Sequence, residues 1–220
     1  MPHLYIFGDS ITWGAWDLQG GGWVQRLRST IDHYQLANEH FWMPLYNLGI
    51  SGDTSVGVAG RLPTEIATRF NSTDGCVVII AIGINDSSVR LSKDAHSVTP
   101  EEYRTNLQKI VRAARMYTEK IFLVGLTPVQ ASRLSPAPWG EPVTYPLSRA
   151  REFNAVLGTV AKAEGAGLIE IWEDWMQRDL SDLFTDGLHP NENGHTLLFH
   201  SVLNRLIAAG VLPSAVGHHF

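Results

Sequence analysis

Val77-Val78-Ile79-Ile80-Ala81-Ile82 is six apolar residues in a row, dominated by β-branched side chains. Side chains of a strand alternate between two faces, so a run without polar alternation must be covered on both. A half-solvated antiparallel sheet does not call for such a run. A central strand of a parallel sheet, with helices above and below, does.

The rest of the chain supplies the other parts of that architecture. His3 to Phe7, Met43 to Leu48, Ile121 to Leu126 and Leu168 to Ile171 read as further strands. Segments of helical period lie between them. Thr99-Pro100-Glu101-Glu102 predicts a capped helix start, with Tyr103, Leu107, Ile110, Val111 and Ala114 on one face. Ala150, Phe153, Leu157, Val160 and Ala161 form a second face, and Leu198, Val202 and Leu206 a third. The expected fold is a three-layer α/β/α domain with a mostly parallel five-stranded sheet and right-handed crossovers, spanning residues 1–220 as one unit. Pro128 to Pro146, with Pro136, Pro138, Trp139 and Pro142, reads as a long surface loop of the kind that walls or lids a pocket.

Bulk properties narrow the partners. With 17 Lys and Arg against 22 Asp and Glu, mixed along the chain, no basic patch invites a nucleic acid. The longest apolar stretch, residues 76–84, is too short to span a membrane, and the N-terminus lacks the basic and apolar regions of a signal peptide. A soluble, cytoplasmic protein is the expectation, although removal of a leader would leave the same picture. Cys76, the lone cysteine, reads as a small core residue. The nine histidines form no metal-ligand motif, and His195 and His200 are expected at the surface or in caps. Oligomeric state is not legible.

In an open parallel sheet, ligands bind beyond the carboxyl ends of the strands, so the residues just past each strand are the ones to read for chemistry. Gly8-Asp9-Ser10 comes after the first strand, with Gly8 expected to permit a sharp bend and Ser10 to expose its hydroxyl. Gly49-Ile50-Ser51-Gly52-Asp53-Thr54 comes after the second, where Gly52 brings a backbone N–H close to a ligand. Gly83-Ile84-Asn85-Asp86 comes after the third, and Asp186-Gly187-Leu188-His189-Pro190 precedes the last helix. One rim thus receives a hydroxyl, a backbone N–H, an amide and an imidazole–carboxylate pair.

Acyl transfer needs those parts. A serine hydroxyl becomes an effective nucleophile when a base takes its proton, and a near-neutral imidazole can accept and return it. Ser10 is the candidate nucleophile, His189 the base, and Asp186 the group that orients His189. Ser10 N–H, Gly52 N–H and the Asn85 amide are candidate oxyanion donors. Singly, each has a structural alternative: a turn for the glycines, a helix cap for Asn85, a helix start for His189. Their order, each after a strand or opening the last helix, favours the chemical reading. Asp9 and Asp53 are expected to buttress loops by accepting backbone N–H bonds, and Asp86 to serve a loop or cap. Trp13 and Trp16 either line a pocket or pack the first loop against the core.

With Phe7-Gly8-Asp9-Ser10-Ile11-Thr12, Asn47 to Thr54, Gly83-Ile84-Asn85-Asp86 and Asp186 to Pro190, the sequence resembles the SGNH hydrolases, or GDSL esterase/lipase family. The four residues naming that family correspond to Ser10, Gly52, Asn85 and His189. Ile11 stands where the label has leucine. Ser51-Gly52-Asp53-Thr54 with Arg61-Leu62-Pro63 is similar to bacterial thioesterase I/lysophospholipase L1-type members. The resemblance implies a flavodoxin-like sheet, a Ser-His-Asp triad, no metal and no cofactor. It covers lipases, thioesterases, lysophospholipases and carbohydrate acetylesterases. The lack of a long apolar lid helix favours a small-molecule, short-acyl ester as substrate. A sugar deacetylase, an acyltransferase and a non-catalytic binding module on the same fold are the alternatives.

Overall fold

The structure is a computed structural model that describes residues 2–91, 95–96, 98–139 and 143–218. Its main sheet contains β1 (His3–Gly8), β2 (Leu45–Gly49), β3 (Cys76–Ala81), β6 (Ile121–Val124) and β8 (Gly167–Ile169) in the order β2-β1-β3-β6-β8, every pairing parallel. The doubly apolar run forms most of β3 at the centre, with Val77 to Ile80 inaccessible to solvent. Helices α3 (Ser55–Arg69), α4 (Pro100–Arg115) and α5 (Leu147–Ala163) pack together, and α2 (Trp23–Ala37) packs with α7 (Glu192–Ala208). The order reverses direction at β1, opening a crevice between the loops that leave β1 and β3.

The predicted helix faces lie in the core. Tyr103, Leu107, Ile110, Val111 and Ala114 of α4 are fully buried, and Thr99 and Glu102 form the reciprocal cap at its start. Cys76 is buried and free. Strand ends differ from expectation by a few residues. Pro44 has no N–H for a ladder, and its carbonyl accepts from Leu4 N at 2.8 Å, so β2 begins at Leu45 rather than Met43. Residues 125–126 leave β6, where Leu126 N donates to the Asn154 side chain instead. Ile171 ends no strand but opens the short helix α6 (Trp172–Met176), which buries Trp172 and Trp175.

The stretch expected as a plain loop carries structure of its own. β7 (Val143–Thr144) pairs antiparallel with β4 (Val89–Arg90), which also pairs with β5 (Ala95–His96). Pro142 lies outside the described residues. This small sheet fastens residues 143–144 beside the Asn85 loop, a long-range pairing that two-residue strands cannot announce in sequence.

A buried carboxylate ties β3 to α3. Asp86 is inaccessible and accepts from Ser55 N at 3.0 Å and from Ser55 Oγ, while Asn106 of α4 donates to Ser55 Oγ at 3.0 Å. It serves as a cap, as expected, but for a helix that begins 31 residues earlier. The Asp86→Ala variant should lose about 2–3 kcal/mol of stability, because the first N–H of α3 would be buried without an acceptor. Urea unfolding measures this; an unchanged midpoint would show that Asp86 does not anchor the helix.

Candidate active site

Asp9 caps the single-turn helix α1 (Ser10–Trp13), its side chain accepting from Ile11 N at 2.9 Å, so Ser10 is the first helical residue. The N–H groups of a first turn have no intrahelical acceptor, which leaves Ser10 N–H available to a ligand. Gly8 does not act as expected. It is needed for closeness rather than for bending, because a Cβ there would meet Thr12 Oγ1 at 2.1 Å and Ala81 O at 2.4 Å.

The Ser10 hydroxyl lies 2.9 Å from His189 Nε2, and His189 Nδ1 lies 2.7 Å from Asp186 Oδ2. The three residues expected together by sequence are therefore joined in one hydrogen-bonded chain. Asp186 Oδ1 accepts the backbone N–H groups of Leu188 and His189 at 2.9 and 2.8 Å, which fixes the carboxylate within its own turn. Burial alone would raise its pKa, but these donors and the His189 ring hold it at about 2. With Asp186 charged, Nδ1 carries the proton and Nε2 is free to accept from Ser10. Asp174 is no competitor, since it pairs with Arg178 at 3.0 Å on the surface.

The loop after β2 reaches the same rim. Ile50 N donates to Gly8 O at 3.0 Å, and Gly52 has φ +77, a left-handed conformation that favours glycine and leaves its surroundings open. Asp53 accepts from Thr54 N, as a buttress should, and also from Arg61 Nε at 2.9 Å. Arg61 further donates to the carbonyls of Gly8 and Leu48 at 3.2 and 2.8 Å, so one guanidinium binds the ends of β1 and β2 to this loop. Asn85 is not a helix cap. Its Nδ2 donates to Asp53 O at 2.9 Å and its Oδ1 accepts from Tyr145 at 3.1 Å.

Two indoles flank His189. Trp16 has its ring centroid 5.8 Å from the imidazole and donates from Nε1 to Asp186 Oδ2 at 3.1 Å; Trp139 lies 5.4 Å away. Trp13 and Trp16 are 56% and 49% exposed, so they do not pack the first loop into the core. That loop is held by other means. Asp17 accepts three backbone N–H groups and pairs with Arg26 at 2.8 Å. His195, expected at the surface, is instead fully buried: Nε2 donates to Ala15 O at 2.8 Å and Nδ1 accepts from Trp23 N at 3.2 Å. Burial lowers its pKa, in keeping with one proton and two bonds. Trp139 falls in the 128–146 stretch expected to wall or lid a pocket, but nothing along the chain marks Tyr145 as reaching Asn85 or His195 as making these bonds, because each contact joins segments far apart in sequence.

Among the described residues, no three or more His, Cys, Asp or Glu side chains gather to hold a metal ion, and no helix is long and apolar enough to cross a membrane. His219 lies outside the described residues.

Residues 6–197 match the GDSL-like lipase/acylhydrolase family. The chain belongs to that family. It is similar to esterase TesA of Pseudomonas aeruginosa, 27% identical over 187 residues covering 85% of this chain and 79% of that protein. An isoamyl acetate-hydrolyzing esterase 1 homolog of Bos taurus is 27% identical over 209 residues, 90% of this chain and 78% of its own. A lipase/acylhydrolase from Enterococcus faecalis has the same fold, with a TM-score of 0.74, 24% identity and coverage of 95% and 97% of the two chains. An acetylxylan esterase from Geobacillus stearothermophilus superposes with a TM-score of 0.70 at 20% identity, covering 93% and 94%. Membership makes this GDSL-type chain an enzyme of the esterase class.

A second carboxylate near His189 behaves oppositely to Asp186. Asp9 lines a small cavity with Thr12 and Thr127, whose buried hydroxyls have no partner among the described residues. Burial pushes its pKa to about 7, against the pull of Ile11 N–H and His189, while Asp86 and Asp53 add to the rise. A folded chain that keeps this proton above the unfolded pKa near 4 loses stability as pH rises through that window to about 7. Asp86, raised to about 6 by burial, acts in the same direction. Asp9→Asn should retain the acceptor for Ile11 N and gain in Tm relative to the parent as pH rises from 5 to 8. A Tm difference that does not vary with pH would contradict titration of Asp9.

Proposed function

We propose that this GDSL-type esterase hydrolyses small, short-acyl carboxylic esters through an acyl-enzyme on Ser10. The observation that carries this reading is the unbroken chain Ser10 Oγ–His189 Nε2 at 2.9 Å and His189 Nδ1–Asp186 Oδ2 at 2.7 Å. Ser10 Oγ attacks the ester carbonyl carbon while its proton passes to His189 Nε2. The carbonyl oxygen takes up negative charge against Ser10 N–H, Gly52 N–H and the free Asn85 N–H, donors fixed before the reaction begins. Collapse breaks the bond to the alcohol oxygen, which leaves with the proton from His189. Water then attacks the acyl carbon, gives its proton to His189, and the acid departs as Ser10 recovers a proton.

Short acyl groups are supported by what crowds the site. Trp139 and Tyr145 stand beside His189 and Asn85, and Trp16 closes the side next to Asp186. Isoamyl acetate, which names one relative, and acetylxylan, which names one structural neighbour, are both acetate esters. The exposed indole faces of Trp13 and Trp16 favour a second reading, a sugar acetate stacked on an aromatic surface.

Hydrolysis of p-nitrophenyl esters from C2 to C12 tests the proposal. The rate should be greatest at C2–C4, and Ser10→Ala should lower kcat by about 10⁴-fold or more without changing Tm appreciably. Retention of most activity by Ser10→Ala would overturn the mechanism. A maximum at C10–C12 would overturn the short-acyl assignment, and faster turnover of acetylated oligosaccharides than of aryl acetates would select the sugar reading.

A further inference from the structure

The three candidate oxyanion donors are not held alike. Two are backbone N–H groups, fixed by α1 and by the Gly52 turn. The third, Asn85 Nδ2, sits on a side chain whose terminal amide can rotate, and a mobile donor must reorganise at the moment charge develops. Its neighbours decide where it points. One Nδ2 hydrogen is directed to Asp53 O at 2.9 Å. Rotating the amide by half a turn would set Oδ1 against that carbonyl oxygen, so Asp53 chooses which end is nitrogen. Among the described residues, the other end of the amide is held by the hydrogen bond at Oδ1, whose donor is the Tyr145 hydroxyl at 3.1 Å.

Tyr145 is placed there by several independent contacts. The register Val89↔Thr144 and Arg90↔Val143 runs β7 antiparallel to the strand that leaves the Asn85 loop, which carries Tyr145 back towards Asn85. Pro146 then starts α5 immediately, and Arg149 in its first turn donates to Ser87 O and Val98 O, both at 3.1 Å. The phenol is 5% exposed, and burial pushes its pKa to about 12, so the hydroxyl keeps its proton across the working range.

We propose that Tyr145 is a positioning residue for ester hydrolysis, its O–H donating to Asn85 Oδ1 so that the remaining Nδ2–H is aimed at the oxyanion. This rests on the serine-esterase reading above, in which Asn85 is an oxyanion donor. A donor at Oδ1 also draws electron density from the amide nitrogen and makes its free N–H a stronger donor. The loop that supplies Tyr145 thus completes the site as well as walling it.

Tyr145→Phe removes one oxygen and keeps the ring. It should lower kcat on p-nitrophenyl acetate about tenfold, the effect of one well-made hydrogen bond, with KM within about twofold and Tm little changed. Asn85→Ala should cost about 10²–10³-fold in kcat. In that background Tyr145→Phe should have no further effect, because the group it positions is gone. A Tyr145 that served only as wall or packing would change KM or Tm, and would do so equally with or without Asn85. Full kcat in Tyr145→Phe, or a tenfold loss that persists in Asn85→Ala, overturns the positioning role while leaving the esterase reading intact. If Asn85→Ala itself keeps full kcat, the oxyanion assignment of Asn85 fails, and this inference with it.

Discussion

β1 lies between β2 and β3, and its register with both is level: Gly8 stands opposite Gly49 on one side and Ala81 on the other. Strands paired without stagger end at the same height, so the three loops leaving them begin side by side. Gly8 is crowded besides, since neither Thr12 of α1 nor the Ala81 carbonyl of β3 leaves space for a side chain. The proximity of Ser10, the Gly52 loop and Asn85 results from this alignment. Arg61 reinforces it by reaching across two strand ends to Asp53.

Among the carboxylates around the site, Asp186, Asp86 and Asp9 are divided by their surroundings. Asp186 collects two backbone N–H groups, the His189 ring and the Trp16 indole, enough donors to stay charged despite burial. Asp86 takes its donors from Ser55 and from its own backbone N–H. Asp9 has one backbone donor, Ile11 N, and lines a small, mostly apolar cavity shared with Thr12 and Thr127. Their pKa values follow burial, which raises each, and how far the donors offset it, from about 2 to about 6 to about 7. On the serine-esterase reading proposed above, Asp186 stays charged beside His189, while burial makes charge costlier at Asp9, next to Ser10.

The wall around His189 comes from elsewhere in the chain. Gln130 N bonds Gly187 O at 2.9 Å and Arg133 bonds Thr185 O at 2.7 Å, so the 127–146 segment is stitched to the turn that carries Asp186 and His189. The same segment is paired to β4 at its other end. Its described residues bring Trp139 to His189 and Tyr145 to Asn85. On the opposite flank, Asp17 and His195 hold the short strap that presents Trp16.

The features legible in the sequence were local or periodic. The apolar run at β3, the i, i+3, i+4 faces of α4, α5 and α7, and the Thr99–Glu102 cap depend on residues a few positions apart, and they stand in the structure as expected. That Ser10, Gly52, Asn85 and His189 come to one rim was legible because parallel strands put their loops on one edge, and the His189–Asp186 contact because the two lie three residues apart. His195 was misjudged, since a histidine on a helix gives no sign that two distant backbone groups await it. The sequence by itself determined the layered sheet and the chemistry gathered at its rim. Only the tertiary structure decided what surrounds that chemistry: the Tyr145 bond to Asn85, the indoles about His189 and the desolvation of Asp9. Those depend on contacts between segments tens of residues apart, whose partners are chosen by packing and hydrogen-bond completion rather than by any repeat along the chain.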